Sequence, residues 1–146
     1  MKHILVAIDF SDPTALILEQ AAQQAQAFGA TLWLVHVAAP DPDFVGYEAG
    51  PQSERDFRAA TLRREHVMLQ DYAAALQSQG LDAQALLVQG PTAETLLDEG
   101  RRLAADLIVL GSHGHGRLYE ALVGSVCAEL IRHAAVPLYV VPVRHT

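Results

Sequence analysis

Leu107-Ile-Val-Leu-Gly-Ser-His-Gly-His-Gly-Arg-Leu-Tyr-Glu-Ala-Leu-Val-Gly-Ser125 is the stretch whose reading decides the fold. Four large aliphatics, Leu107 to Leu110, stop at a run punctuated by Gly111, Gly114 and Gly116. An apolar run too short for a helix and closed by glycine reads as a strand buried on both faces of a parallel sheet. Gly124 and Ser125 follow, and Val126–His133 then carries apolar residues at helical spacing. Glycine supplies backbone conformations with positive φ and lets a ligand approach the main chain closely. Ser125 is placed to cap the helix, whose free N–H groups and dipole favour an anion. Glycines that merely make a tight turn are the plainer alternative. The second Gly-Ser, at the start of the next helix, favours phosphate binding over it.

Outward from this stretch, the chain alternates strands and helices. His3–Ile8 reads as a buried strand ending at Asp9. Asp12-Pro13 predicts an N-cap with proline in the first helical position, and the helix runs to about Phe28. Ala15, Leu18, Ala22, Ala25 and Phe28 form its expected inner face, and Gly29 stops it. Thr31–Val37 is a second strand, and Pro40–Gln52, with three prolines and two glycines, is a long loop. A helix over about Glu54–Gln79 follows, with Leu62, Leu69, Tyr72 and Leu76 inward and Gly80 at its end. Leu81–Gln89 reads as a third strand, Gly90-Pro91 opens a third helix to about Ala104, and Asp106–Leu110 is the fourth strand. Pro137–Val143 is the fifth. The order βαβαβαβαβ requires a parallel sheet with helices on both faces. Ligands of such sheets sit beyond the carboxyl ends of the strands, where the winding reverses. Asp9, the loop after Val37, Gly90 and Gly111 all lie at such ends.

With 146 residues, 51% of them hydrophobic and 18% charged, the chain reads as one globular domain over residues 1–146. The net charge of −7 argues against a nucleic-acid partner. A single cysteine, Cys127, excludes an internal disulfide and fits a reducing compartment. The apolar run Ile4–Ile8 is too short for a signal peptide or a membrane span, so a cytoplasmic location is expected. The only lysine is Lys2, which excludes a Gly-x-x-x-x-Gly-Lys-[Ser/Thr] phosphate loop. The first strand leads into Asp9-Phe10-Ser11-Asp12 and not into Gly-x-Gly-x-x-Gly, against a dinucleotide site. No Gly-x-Ser-x-Gly elbow is present.

Gly111-x₂-Gly114-x₉-Gly124-Ser125 resembles the ATP-binding signature of the universal stress protein (UspA-type) family. Ile4-Leu5-Val6-Ala7-Ile8-Asp9-Phe10-Ser11 is similar to that family's first strand, His36-Val37 to the end of its second, and Val136–Pro142 to its last. The resemblance spans essentially the whole chain. It implies a doubly wound, Rossmann-like α/β fold with five parallel strands in the order 3-2-1-4-5, ATP with Mg as cofactor, and a homodimer through strand 137–143. Carried over by residue, it sets Ala7, Ile8 and Asp9 against ribose and adenine, and Val37 against adenine through its backbone. Leu110 and Gly111 would flank the nucleotide, with Gly114, Gly124, Ser125, Val126 and Cys127 around the phosphates. Cys127 departs from the threonine of several ATP binders, and a thiol is a weaker donor.

Several of these residues have plainer readings. Asp9 could cap the first helix or bond its own turn, and Cys127 could be a small buried packing residue, a reactive thiolate lacking support. His36 reads as structural more readily than as a base. His113 and His115 could donate to phosphate, pair on a metal or be solvated; with no acidic or cysteine partner nearby, no metal site is assigned. Arg117 could fork onto a phosphate or lie in solvent. No carboxylate pair or nucleophile–base pair stands out, so no catalytic residue is named. The last strand would be an unprotected edge, which pairing with a second copy would cover. The expected function is an ATP-binding regulatory module in which nucleotide orders loops 40–52 and 113–123; a slow ATPase or nucleotidyl transferase at the same site, or a nucleotide-independent interaction protein, are the rivals.

Overall fold

The computed structural model describes residues 1–38, 52–113 and 124–143. Nine elements alternate: β1 (His3–Ala7), α1 (Thr14–Phe28), β2 (Thr31–Ala38), α2 (Gln52–Ser78), β3 (Ala83–Gln89), α3 (Thr92–Arg102), β4 (Leu107–Gly111), α4 (Ser125–His133) and β5 (Leu138–Val141). The five strands form one sheet in the order β3-β2-β1-β4-β5, and every neighbouring pair is parallel. Fold class and strand order are those the sequence implied. The winding reverses between β1 and β4: the chain runs outward from β1 to β2 and β3, then crosses back to β4 and β5, with Ala7 pairing with Val35 on β2 and Val6 with Val109 on β4.

Alternation along β1 shows why the strand is apolar throughout. Ile4 and Val6 face Ile17, Ala21, Leu69 and Leu76 of α1 and α2, while Leu5 faces Leu96 of α3 and Leu130 of α4. All three β1 residues are fully buried, so helices cover both faces of the strand. No described helix is long and apolar enough to cross a membrane.

Several local expectations are corrected. Asp12 does not cap α1: Pro13 holds the cap position, with φ −73° and no side-chain cap, and Thr14 is the first helical residue. The Ser11 carbonyl accepts the Thr14 N–H at 3.0 Å and so closes the turn one residue later than the Asp-Pro pair suggested. The inner face is Thr14, Ile17, Leu18, Ala21 and Ala25, with Ala22 half-buried against the same core as expected; Ala15 is exposed and Phe28 is 53% exposed. Phe28 points outward because the helix ends there in a left-handed Gly29 (φ 66°). On α2, Leu69, Ala73 and Leu76 are buried, with Leu62 and Tyr72 half-buried. β3 starts at Ala83, since Asp82 is occupied in holding β2: its carbonyl accepts Leu32 N–H and its carboxylate the Thr31 hydroxyl. The loop expected over Pro40–Gln52 lies outside the described residues, apart from Gln52, which opens α2.

Candidate functional site

The carboxyl ends of β1, β2 and β4 meet at one crest. Ile8 extends the β1 ladder by donating its N–H to Val35 O at 2.9 Å. The chain then leaves the sheet through Phe10, whose φ of 61° lies in the left-handed region that a bulky residue adopts only at a cost. Two sets of contacts hold this turn. Asp9 Oδ1 accepts the Ser11 N–H at 3.0 Å and the Ser11 hydroxyl at 2.5 Å. The Phe10 ring packs on His36 (centroids 4.6 Å apart) and stacks on Tyr72 (6.3 Å). His36 is buried, with Nδ1 2.7 Å from the Ile8 carbonyl and Nε2 2.8 Å from Glu65 Oε2. A carbonyl only accepts, so geometry assigns a proton to Nδ1. His36 therefore ties β1, β2 and α2 together, the structural reading of that residue. For Asp9 the local turn bond is realised on Oδ1.

At the other side of the crest, Ser112 gathers three segments. Its N–H donates to Val141 O at 2.9 Å, extending the β4–β5 ladder, and its carbonyl accepts Gly124 N–H at 2.7 Å. Its hydroxyl oxygen accepts Val143 N–H at 2.9 Å, leaving its own hydrogen for His113 Nδ1, 3.0 Å away. Sequence reasoning passed over Ser112 because nothing in its type or spacing signals these bonds.

The start of α4 differs from expectation in one respect. Ser125 is not the cap: Gly124 holds that position with φ −69° and ψ 163°, and its carbonyl accepts Ala128 N–H at 2.9 Å. Ser125 is the exposed first residue of the helix and its side chain makes no cap bond. A glycine in the cap position has no side chain to offer, and the first turn carries no acidic residue. Among the described residues the opening N–H groups of α4 thus have no side-chain acceptor, and they lie at the positive end of the helix dipole, at the carboxyl-end side of the sheet. Arg132 and His133 complement the opposite end.

Neither Gly111 nor Gly124 uses positive φ; among the described glycines only Gly29, Gly80 and Gly90 do. Packing favours glycine at 111, since a Cβ there would crowd Ile17 Cδ1 at 2.9 Å and both His113 O and Val143 Cγ2 at 3.2 Å. Ile8, Val37 and Leu110 are buried in the core. Their side chains are committed to packing, so these three residues offer the crest mainly main-chain atoms. Val126 is half-buried, and Cys127, 3% exposed, packs against Leu130 and Leu110 in the core below α4. Burial pushes its thiol pKa up, which keeps it protonated and fits the packing reading. Ala7, Ile8, Asp9, Val37, Leu110, Gly111, Gly124, Ser125, Val126 and Cys127 accordingly lie on β1, β2 and β4, just beyond their ends, or at the start of α4. Gly114, His115 and Arg117 lie outside the described residues. Among the described residues there is no group of three or more His, Cys, Asp or Glu able to hold a metal ion.

A parallel sheet with its winding reversal between β1 and β4, and a helix start capped only by glycine beside that reversal, defines a doubly wound α/β protein. The chain belongs to the universal stress protein family, whose model it matches over residues 1–142. It is 35% identical over 141 residues to a universal stress protein of Thermus aquaticus, covering 96% of this chain and 98% of that one. It also spans about half the length of several curated relatives it matches, 47% in each case. Among solved structures, a universal stress protein family member from Burkholderia pseudomallei is 29% identical, with a TM-score of 0.73 over 97% of this chain and 96% of that one. An Arabidopsis thaliana family protein with AMP bound shares the fold at 18% identity, with a TM-score of 0.69 over 99% of this chain and 93% of that one.

Proposed function

We propose that the chain binds an adenine nucleotide, ATP carried with Mg, at the crest between β1, β2, β4 and α4, and that it works as a nucleotide-dependent regulatory module. The observation that carries this reading is the start of α4. A side-chain-less cap, Gly124, is tied by a 2.7 Å bond to the carbonyl of Ser112 just past the end of β4, and the following N–H groups lack side-chain acceptors among the described residues. This is donor chemistry suited to phosphate oxygens. Solved proteins of the same fold have been captured with AMP, dAMP and cAMP, which supports an adenine nucleotide as the occupant here.

In this reading the Asp9 carboxylate meets the ribose hydroxyls, and Ala7, Ile8 and Val37 border the adenine. Leu110 and Gly111 flank the nucleotide. Gly114, Gly124, Ser125, Val126 and Cys127 surround the phosphates, largely through backbone N–H groups that are indifferent to a cysteine at 127. Mg bound through nucleotide phosphates and water needs few protein ligands, so the lack of a metal-ligand cluster among the described residues does not conflict with it. Strand 137–143 is the surface on which a second copy would pair, since β5 closes the sheet as an edge.

The reading is tested by calorimetric titration of nucleotide-stripped protein with Mg-ATP, beside a Gly114→Val, Gly124→Val variant verified to be folded. Saturable binding of one nucleotide per chain, abolished in the variant, is the expected result. Wild-type protein that binds no adenine nucleotide would overturn it.

A further inference from the structure

Thr14 opens α1, is 2% exposed, and its hydroxyl oxygen has no hydrogen-bond partner. It is the one buried side-chain polar atom left in that state among the described residues. Buried polar groups are hydrogen-bonded in the great majority of cases, so an orphan hydroxyl calls for an explanation.

Its place in the fold supplies one. β1 and β2 are parallel, so α1 returns antiparallel to them and its first turn stands at the carboxyl ends of the strands. Ile17 lies one turn further along the same helix face, and its Cδ1 would be 2.9 Å from a Cβ on Gly111. Thr14 is thus one helical turn beyond the end of β4. It is also anchored to Asp9: its N–H donates to the Ser11 carbonyl at 3.0 Å, and Ser11 in turn donates N–H and hydroxyl to Asp9 Oδ1. The N-terminus of α1 has no side-chain cap and no acidic residue in its first turn. Two independent features therefore coincide beside the crest, an uncapped helix start and a buried hydroxyl without a partner.

We infer that the Thr14 hydroxyl is a ligand group of the nucleotide site, hydrogen-bonding an oxygen of the sugar or phosphate. This rests on the reading given under Proposed function. A hydroxyl next to the positive end of a helix dipole donates best to an electron-rich oxygen. Threonine in a helix has two accessible χ1 wells, which gives the hydroxyl a way to turn toward an arriving ligand. The orphan state of the free protein is resolved when the ligand oxygen arrives.

The test compares full-length, nucleotide-stripped wild type, Thr14→Val and Thr14→Ser. Urea unfolding is measured without nucleotide, and calorimetric affinity is measured for adenosine and for AMP. Valine fills the same volume and removes the orphan, so Thr14→Val is expected to be at least as stable as wild type without ligand. It should nevertheless bind AMP on the order of tenfold more weakly, the effect of one lost hydrogen bond. Thr14→Ser, which keeps the hydroxyl, should stay close to wild type in affinity. An equal loss for adenosine assigns the sugar oxygen, and a loss confined to AMP assigns a phosphate oxygen. Thr14→Val that binds both ligands like wild type overturns the inference. So does a Thr14→Val that is destabilised without ligand, because the hydroxyl would then have a partner in the free protein. Wild type that binds neither adenosine nor AMP nor ATP removes the nucleotide reading itself, an outcome visible before any variant is made.

Discussion

The carbonyl of Ser112 accepts the N–H of Gly124 at 2.7 Å, so the end of β4 and the start of α4 are joined although eleven residues separate them in the chain. This bond fixes the helix start against the sheet, and both ends of the glycine segment inherit its position. Gly124 itself sits at φ −69° and ψ 163°, a conformation open to any residue. Backbone geometry therefore does not demand a glycine there, and in the proposed reading its lack of a side chain serves access for the phosphates. Gly124→Ala is predicted to fold with wild-type stability but to bind ATP on the order of tenfold more weakly, because a methyl group stands where phosphate approaches. Paired thermal unfolding and calorimetry check both halves.

Gly111 makes the opposite prediction. A Cβ there meets Ile17 Cδ1 at 2.9 Å and main-chain His113 O at 3.2 Å. Gly111→Ala should lose about 1–3 kcal/mol of stability through overpacking. Shortening the neighbour in Gly111→Ala, Ile17→Val removes the closest clash and should recover part of the loss. Urea midpoints of the wild type, both single variants and the double variant give the coupling.

His36 bridges the Ile8 carbonyl and Glu65 while supporting the ring of left-handed Phe10. His36→Ala removes both bonds and the ring contact, leaving the Ile8 carbonyl without its imidazole partner. A loss of about 1–3 kcal/mol in urea unfolding is expected, the range for leaving a buried polar group unsatisfied. A loss below half of the lower figure would mean that water replaces the imidazole.

Asp106, at the opposite end of the sheet, accepts the backbone N–H groups of Lys2 (2.7 Å) and His3 (3.0 Å), and these bonds, Lys2 first, hold its pKa below the usual carboxylate value. A carboxylate whose pKa is depressed in the folded state stabilises fully above its unfolded pKa, about 4. That stabilisation is lost as pH falls through the lower folded value. Asp106→Asn should therefore flatten the fall of stability with acid below about pH 4, where the wild type keeps losing it. Urea midpoints taken across that pH range are the check.

The alternation of five strands with four helices was legible in the sequence, because apolar runs such as Leu107–Leu110 and full stops such as Gly29 and Gly80 report backbone states directly; the strand order came from the family resemblance. The caps were less legible. Asp12 and Ser125 are good capping residues, yet Pro13 and Gly124 hold those positions, because the Ser11 turn and the Ser112–Gly124 bond set where each helix begins. Gly111 read as a ligand-access glycine, whereas its neighbours are Ile17 and Val143, contacts made across the fold that no local pattern encodes. Phe10 in the left-handed region and the orphan hydroxyl of Thr14 were illegible for the same reason: each is a property of packing among β1, α1 and β2.

The central claim is that the start of α4 receives the nucleotide phosphates, and amide hydrogen exchange tests it where it applies. On saturation with Mg-ATP, the N–H groups of Ser125, Val126 and Cys127 should gain protection, while those of Ala83–Gln89 on the outer strand β3 stay unchanged. ATP that binds, with no added protection at residues 125–127, would contradict the account.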